Sequence, residues 1–209
     1  MQNDFCRQTG WFGRRGVDLT AVQSVIPAVS EAVTAARSQG LPVIRLNWGV
    51  RNDCLEMSPG QLAMGSRFNT NEGYGDCSDE ASEPNLVVGT WGAATVDELT
   101  PAADEITVHK CRFSGFWYTE LDAILRRLDV TTLFFAGVNT DRCVLASLQD
   151  ATFHGYDAVL IDDATATPSP AEVRNAACLL IRQIYGFTMR LGDFTAAGDA
   201  PGAHGSTGA

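Results

Sequence analysis

The stretch "TTLFFAGVNTDRCVLASLQDATFHG", residues 131–155, carries the alternation that decides the fold. Its first part, residues 131–137, is rich in β-branched and aromatic side chains, which predicts a central strand. Residues 142–155 place apolar side chains at helical spacing and end at Gly155, a residue type that commonly ends helices. A strand followed directly by a helix is the repeating unit of a parallel α/β sheet.

The same alternation runs through the rest of the chain, where both elements recur with turn residues between them. We predict helices over 20–39, 119–129 and 169–186, and strands over 41–48, 105–110, 156–163 and 187–194. The helix near residue 169 begins with a capping box of Ser169 and Glu172, with Pro170 at the first helical position. The predicted fold is a three-layer, Rossmann-like parallel α/β sheet with helices on both faces.

Length and composition indicate one globular domain. We assign residues 1–194 to it, with 49–100 as a long irregular excursion and 195–209 as a disordered tail. The net charge of −10 argues against binding to nucleic acid or to anionic lipid. No apolar run approaches the ~18 residues of a membrane span, and the first ten residues do not have the pattern of a signal peptide. Six cysteines without a C-x-x-C pair suggest reduced thiols. We expect a cytoplasmic homo-oligomer that acts on a small molecule without a cofactor.

Lys110 and Cys143 are the first candidates for chemistry. Lys110 is the only lysine in a chain with 14 arginines, and it ends one predicted strand, whereas Cys143 follows the end of the next. Carboxyl ends of parallel strands meet at one edge of the sheet, so we expect the two side chains to lie together. Helix amides, with Thr140 or Asp141 as cap, and a nearby ammonium favour a thiolate. Lysine can exchange a proton there, whereas arginine stays charged. A small buried apolar role for the cysteine stays open.

The three histidines are poor candidates for a general base. His154 lies 11 residues after Cys143 on the same predicted helix, about 16 Å along its axis. His204 is in the predicted tail. His109 and Lys110 are neighbours on a strand and point to opposite faces. A cysteine–histidine pair is therefore disfavoured.

Four motifs occur in register with a known family: "MQNDF" (1–5), "GTWGAATVDEL" (89–99), "HKCRFSGFWYTELDAILRR" (109–127) and "FFAGVNTDRCV" (134–144). In this order they resemble the isochorismatase-like cysteine hydrolases. The "K-x-R-x-S-G-F" form is most similar to the branch that cleaves ureido and carbamoyl amides, which includes ureidoacrylate and biuret hydrolases and N-carbamoylsarcosine amidase.

The resemblance implies a reaction and roles for four residues. Cys143 would attack a small ureido or carbamoyl amide and form a thioester acyl-enzyme, which water hydrolyses with release of ammonia or a carbamate. Lys110 would assist. A cis peptide would join Val138 to Asn139, and the backbone N–H groups of Asn139 and Cys143 would form the oxyanion hole.

The resemblance also suggests substrate contacts. Gln183 would contact the ureido group, although a solvated helix position is the alternative. The aromatic run Phe116, Trp117 and Tyr118 would wall the pocket, unless it is plain core. Nicotinamidases of this family carry an Asp-x-His metal site where this chain has residues 47–49, "NWG", so no metal is expected.

One family residue has no counterpart. The catalytic aspartate directly precedes the motif that starts here at Met1, and it ends a strand in the middle of the sheet. We therefore expect the natural protein to extend upstream of Met1. Asp4 is either a substitute base or a carboxylate that caps a loop. Two alternatives stay open: hydrolysis of another amide, a lactam or a nicotinamide-like substrate, and a non-catalytic protein that binds small molecules.

Overall fold

All five strands in the described part of the chain run parallel to their neighbours, but they form two sheets. The computed structural model describes residues 1–65, 72–77 and 83–197. One sheet pairs β1 (Ile44–Trp48) with β2 (Ile106–Lys110). The other has the order β3 (Thr132–Val138), β4 (Asp157–Ala166) and β5 (Phe187–Met189). The single sheet that the alternation predicts is thus divided between β1 and β3.

Helices connect these strands and cover both faces. They are α1 (Asn3–Cys6), α2 (Trp11–Arg14), α3 (Thr20–Ser24), α4 (Ile26–Ser38), α5 (Pro59–Gly65), α6 (Leu121–Arg127), α7 (Leu145–Phe153), α8 (Ala171–Leu180) and α9 (Leu191–Ala197). A 3₁₀ turn covers Asp97–Leu99, and π-helical turns cover Thr140–Val144 and Ile181–Tyr185. Within the residues described, no helix has the length and apolar character needed to cross a membrane.

The core lies in two layers, one on each side of the larger sheet. Adjacent residues of β4 point to opposite faces, as strand geometry requires: Leu160 packs with α6, α7 and α8, and Ile161 packs with α3, α4 and α9. Both residues are almost completely buried. The predicted α/β class, with parallel strands between helical layers, is confirmed.

Several boundaries differ from the prediction. The helix predicted over 20–39 is two helices, because Pro27 at the start of α4 has no N–H to continue the hydrogen bonding of α3. Gly40 ends α4 with a positive φ of 69°. The last predicted strand, 187–194, ends at Met189, and α9 begins where the Leu191 N–H donates to Asp163 Oδ1 at 2.7 Å.

The structure also differs from two predictions made for the second half of the chain. The predicted tail begins inside α9, which includes residues 195–197, and residues 198–209 lie outside the described residues. The capping box at the start of α8 is absent, because the Ser169 hydroxyl donates to Asp141 Oδ2 at 2.7 Å instead of capping the helix.

The 49–100 excursion contains the helix α5 and the 3₁₀ turn Asp97–Leu99, and its described parts pack on the body of the protein. An isolated parallel bridge joins Val50 to Val87, and Leu86 is fully buried beside Trp11 and Trp48. Residues 66–71 and 78–82 of the excursion lie outside the described residues. The excursion thus brings apolar surface to the carboxyl ends of β1 and β2.

Candidate active site

Lys110 and Cys143 meet where the two sheets come together. The Lys110 Nζ donates a hydrogen bond to the Cys143 Sγ at 3.1 Å. Lys110 is the last residue of β2, and Cys143 lies in the π-helical turn after β3. The predicted convergence of the two strand ends is therefore confirmed.

The surroundings of Lys110 hold its ammonium group in one position. Its Nζ also donates to the carbonyl oxygens of Arg112 at 2.9 Å and Phe113 at 3.1 Å, and it lies 4.5 Å from the centroid of a Trp48 ring. With the sulfur, these acceptors match the three donors of a lysine ammonium. The residue is only 2% exposed. These three hydrogen bonds hold the Lys110 Nζ in contact with the Cys143 sulfur.

The turn that carries Cys143 has the expected backbone. A cis peptide bond joins Val138 to Asn139, which confirms that prediction, and Gly137 before it has a φ of 98°. The Asn139 carbonyl then accepts hydrogen bonds from the N–H groups of Arg142 at 3.1 Å and Val144 at 3.2 Å. These bonds close the turn and set Cys143 at the edge of the sheet.

The predicted capping of this turn is wrong. Neither Thr140 nor Asp141 caps it with a side chain. Asp141 accepts the Ser169 hydroxyl, and the Ser169 oxygen accepts from Arg142 Nη2 at 3.2 Å. The Thr140 hydroxyl is buried without a hydrogen-bond partner among the described residues. Asp141 thus connects the π-helical turn Thr140–Val144 to the loop before α8 through a hydrogen bond.

Cys143 opens into a small aromatic cavity, which we call the aromatic pocket. Its volume is about 130 Å³. It is lined by Phe5, Trp11, Phe12, Trp48, Met64, Tyr74, Phe113, Val138, Asn139, Arg142 and Cys143. Trp48 and Tyr74 stack with ring centroids 4.9 Å apart and planes 20° apart. Burial raises the pKa of Tyr74 to about 12, so its phenol is neutral at pH 7.

Of the three residues predicted to wall the pocket, Phe116 lines the larger cavity that Lys110 and Cys143 also line, whereas Trp117 and Tyr118 line neither cavity. Phe116 is buried in the core and stacks on His154 at 4.8 Å. Trp117 is 58% exposed and Tyr118 is also exposed, with Arg112 over its ring. None of the three aromatic residues lines the aromatic pocket. Phe116 therefore has the position given by the alternative prediction, that of a core residue.

Gln183 is not brought to the site either. It lies exposed in the π-helical turn after α8, outside the lining of the aromatic pocket. Because its side chain faces solvent, the prediction that it contacts the ureido group finds no support in this geometry. Gln183 therefore has the position given by the alternative prediction, a solvated helix position.

Sequence reasoning missed the residues that do form the walls. Trp48, Tyr74 and Phe113 come from the end of β1, the excursion and the loop after β2. No periodic pattern connects them, because they meet only when the excursion folds back over the sheet. The available signal was position: Trp48 and Phe113 each lie at or just after the carboxyl end of a strand.

The Asp4 carboxylate caps two loops, which is the second of its two predicted roles. Its Oδ1 accepts from the Trp11 N–H and its Oδ2 from the Leu86 N–H, both at 2.9 Å. Burial raises the pKa of Asp4, although these two amides act in the opposite direction. A Cβ on Gly92 would overlap the carboxylate, so Gly92 allows this close approach. Among the residues described, no carboxylate hydrogen-bonds to Lys110 or Cys143.

Histidines and metal ligands are not assembled around the thiol. His109 is exposed whereas Lys110 is buried, as expected for strand neighbours, and His204 lies outside the described residues. Where a metal site would stand, the Asn47 Nδ2 donates to the Thr95 Oγ1 at 3.0 Å. Residues 1–65, 72–77 and 83–197 contain no group of His, Cys, Asp and Glu placed to hold a metal ion.

Comparisons of the sequence identify related proteins. The family model described as "Isochorismatase domain" matches residues 1–192. The ureidoacrylate amidohydrolase RutB of Methylobacterium radiotolerans is 31% identical over 207 residues, covering 96% of this chain and 78% of the relative. The RutB protein of an Enterobacter species is 32% identical over 204 residues, covering 96% and 87%.

Solved structures show the same fold. A cysteine hydrolase from Pseudomonas syringae pv. phaseolicola has a TM-score of 0.78 at 22% identity, covering 95% of this chain and 89% of that one. N-carbamoylsarcosine amidase from Thermoplasma acidophilum has a TM-score of 0.68 at 23% identity, covering 91% and 92%. Since the family model spans nearly the whole described chain and relatives exceed 30% identity, this chain belongs to the isochorismatase family.

Proposed function

We propose that the protein is a cysteine-dependent hydrolase of a small ureido or carbamoyl amide. The observation that carries this proposal is the 3.1 Å hydrogen bond from Lys110 Nζ to Cys143 Sγ beside the aromatic pocket. Such a pair supplies a nucleophile and a group that can exchange its proton. The relatives named ureidoacrylate amidohydrolase support an amide as the substrate.

In the first step the Cys143 thiolate attacks the carbonyl carbon of the amide. The carbonyl oxygen becomes an oxyanion, which the backbone N–H groups of Asn139 and Cys143 would stabilise. As the C–N bond breaks, the Lys110 ammonium gives a proton to the leaving nitrogen. The amine or ammonia departs, leaving a thioester on Cys143 and a neutral Lys110 amine.

In the second step water replaces the sulfur. The neutral Lys110 amine accepts a proton from water as the oxygen attacks the thioester carbon. The C–S bond breaks and restores the thiolate beside the Lys110 ammonium. The sum is amide plus water giving acid plus amine, and a ureido substrate gives ammonia or a carbamate.

The aromatic pocket supports a small, flat substrate. Its volume of about 130 Å³ is well below the ~300–1,000 Å³ of sites for drug-sized ligands. A planar ureido group suits the flat faces of Trp48 and Tyr74. Arg142 also lines the pocket, and its guanidinium suits a substrate that bears a carboxylate, as ureidoacrylate does.

Ammonia release tests the proposal. The full chain is incubated separately with ureidoacrylate, N-carbamoylsarcosine, biuret and nicotinamide. We expect ureido or carbamoyl compounds to be hydrolysed, and Cys143→Ala to lower the rate by about 10³-fold or more. Cys77→Ala, which changes an exposed thiol outside the pocket, serves as the matched control and keeps the parent rate. Full activity of Cys143→Ala would contradict the proposal, as would hydrolysis of nicotinamide alone.

A second candidate is a non-catalytic protein that binds the same compounds. It is favoured by one observation: in the described chain no carboxylate hydrogen-bonds to the Cys143–Lys110 pair. Calorimetric titration distinguishes the two functions. Binding of ureidoacrylate without ammonia release and without a covalent adduct on Cys143 would support the binder and reject the hydrolase.

A further inference from the structure

The loop after β2 provides two of the three acceptors that hold the Lys110 ammonium. The carbonyl oxygens of Arg112 and Phe113 accept from its Nζ at 2.9 and 3.1 Å. Among the described residues, no backbone–backbone hydrogen bond involves residues 111–113, since β2 and its pairing with β1 end at Lys110. The directions of the two carbonyls therefore depend on contacts made by side chains.

The Arg112 guanidinium makes such contacts on two sides. Its Nη1 donates to the Cys111 carbonyl oxygen at 2.9 Å, and its Nη2 donates to the Glu56 carbonyl oxygen at 2.8 Å. The first bond orients the peptide group that precedes Arg112, and the second connects the loop to the 49–100 excursion. A guanidinium can hold two acceptors at once because its donors lie in one plane with fixed directions.

The Glu56 carbonyl that accepts from Arg112 belongs to a turn that is itself fixed. The Met57 N–H donates to the Cys54 carbonyl oxygen at 2.9 Å and closes the turn. Met57 is 6% exposed and lies in the same core cluster as Trp48. Arg112 is therefore attached to a part of the excursion that packs on the body of the protein.

The ring of Tyr118 covers the same guanidinium. The Arg112 Cζ lies 4.6 Å from the ring centroid, a distance at which a cation is attracted to an aromatic face. Tyr118 has a φ of 60°, a left-handed conformation that residues with bulky side chains rarely adopt, although its side chain is exposed. The ring thus adds a third contact to the two hydrogen bonds that hold Arg112.

We propose that Arg112 is a positioning residue: its side chain holds the loop after β2 so that two carbonyls of that loop keep the Lys110 ammonium in contact with the Cys143 sulfur. This role rests on the proposed function, in which Lys110 transfers protons. Arg112 does not line the aromatic pocket, so it acts on the lysine and not on the substrate. Without the guanidinium, the two carbonyls are free to turn and the Lys110 Nζ is free to leave the sulfur.

Steady-state kinetics of the full chain with ureidoacrylate test the proposal. Arg112→Met keeps an unbranched side chain but removes the donors. We expect kcat to fall by about tenfold or more while KM stays within about twofold, because the lysine moves and the pocket does not. Arg112→Lys keeps a charge and one donor group, and should recover part of kcat. Arg51→Met is the matched control: it removes an exposed arginine that pairs with Asp53, and keeps the parent kcat and KM.

Alkylation of Cys143 by iodoacetamide, followed by peptide mass spectrometry, measures the same effect without a substrate. The thiolate is the form that reacts, and a neighbouring ammonium favours it. We expect Arg112→Met to slow this alkylation by about threefold or more, and to slow it no further in a Lys110→Ala protein, because Arg112 acts through the lysine. Since no turnover is needed, the alkylation rates decide the role of Arg112 even if no ureido compound is hydrolysed.

Three results would overturn the proposal. One is a parent kcat and a parent alkylation rate in Arg112→Met. Another is a raised KM with an unchanged kcat, since Arg112 would then shape the pocket. The third is an equal slowing of alkylation with and without Lys110, since the effect would then not pass through the lysine. If Arg112→Met does not unfold cooperatively, Arg112→Lys replaces it: an ammonium lacks the fork that spans both carbonyls, so a parent kcat in that variant would reject the proposal.

Discussion

At the scale of single residues, Lys110 shows what the sequence can and cannot reveal. Its pairing with Cys143 was predictable, because two parallel strands end at one edge and the chain has a single lysine. Its bonds to the Arg112 and Phe113 carbonyls were not, because they depend on the path of the loop after β2. The aromatic pocket was missed for the same reason.

Replacing Lys110 by arginine tests the proton-exchange role. The guanidinium keeps its charge but holds its proton and needs more room than the buried ammonium position offers. We expect kcat/KM for a ureido substrate to fall by about 10²-fold or more, while thermal unfolding stays cooperative. Near-normal turnover would contradict a lysine that exchanges protons.

Chemical rescue separates this role from a structural one. Lys110→Ala leaves space for a small amine, so added methylamine should restore part of the activity, whereas Lys110→Arg fills that space and should not respond. A purely structural lysine predicts no rescue in either variant.

At the scale of elements, one carboxylate joins a helix and two strands. Glu105, just before β2, is 5% exposed at its side chain and accepts from Arg45 Nη2 on β1 at 2.9 Å. It also accepts from Arg37 Nε on α4 at 2.8 Å and from the Ala102 N–H at 3.1 Å. Burial opposes ionisation, but these hydrogen bonds outweigh it and lower the pKa of Glu105 to about 2.

Replacing Glu105 by glutamine should remove an acid-sensitive part of the stability. A carboxyl whose folded pKa is about 2 and whose ordinary value is 4.5 stabilises the fold above pH 4.5, and loses that effect as pH falls toward 2. We expect Glu105→Gln to lower the free energy of unfolding by about 3 kcal/mol at pH 7 and by much less near pH 2. Urea unfolding at several pH values measures the difference.

Glu98→Gln is the matched control for this prediction. Glu98 pairs with Arg7, but both side chains are substantially exposed, so removing the charge should cost at most about 1 kcal/mol. The free energy of unfolding of the parent and of Glu105→Gln is compared at pH 7 and pH 2. An equal difference at both pH values would show that the Glu105 charge does not stabilise the fold.

Element boundaries show why local pattern has limits. Gly155 and Gly40 end their helices as predicted. Glycine adopts a positive φ without steric cost, so this helix end depends on the residue type and not on distant contacts. The end of β5 was not predictable, because α9 starts where Asp163, on the neighbouring strand, accepts the Leu191 N–H. The family resemblance and the α/β class were predictable from motifs and alternation, and both are confirmed.

At the scale of the whole molecule, the candidate site spans the division between the sheets. Lys110 ends a strand of one sheet and Cys143 follows a strand of the other, so their 3.1 Å contact depends on how the two sheets are placed relative to each other. The single-domain assignment, the cytoplasmic location and the homo-oligomeric state stay predictions. Exposed Phe153, Ile184 and Phe187 are candidates for a subunit contact.

The central claim is that Cys143 forms a covalent bond to an amide substrate. The most direct measurement is peptide mass spectrometry of the full chain, quenched in acid shortly after mixing with ureidoacrylate. We predict a carbamoyl or acyl adduct on the peptide containing Cys143, absent in Cys143→Ala and not found on Cys77. Turnover of the substrate without any adduct, or with equal turnover by Cys143→Ala, would contradict the account.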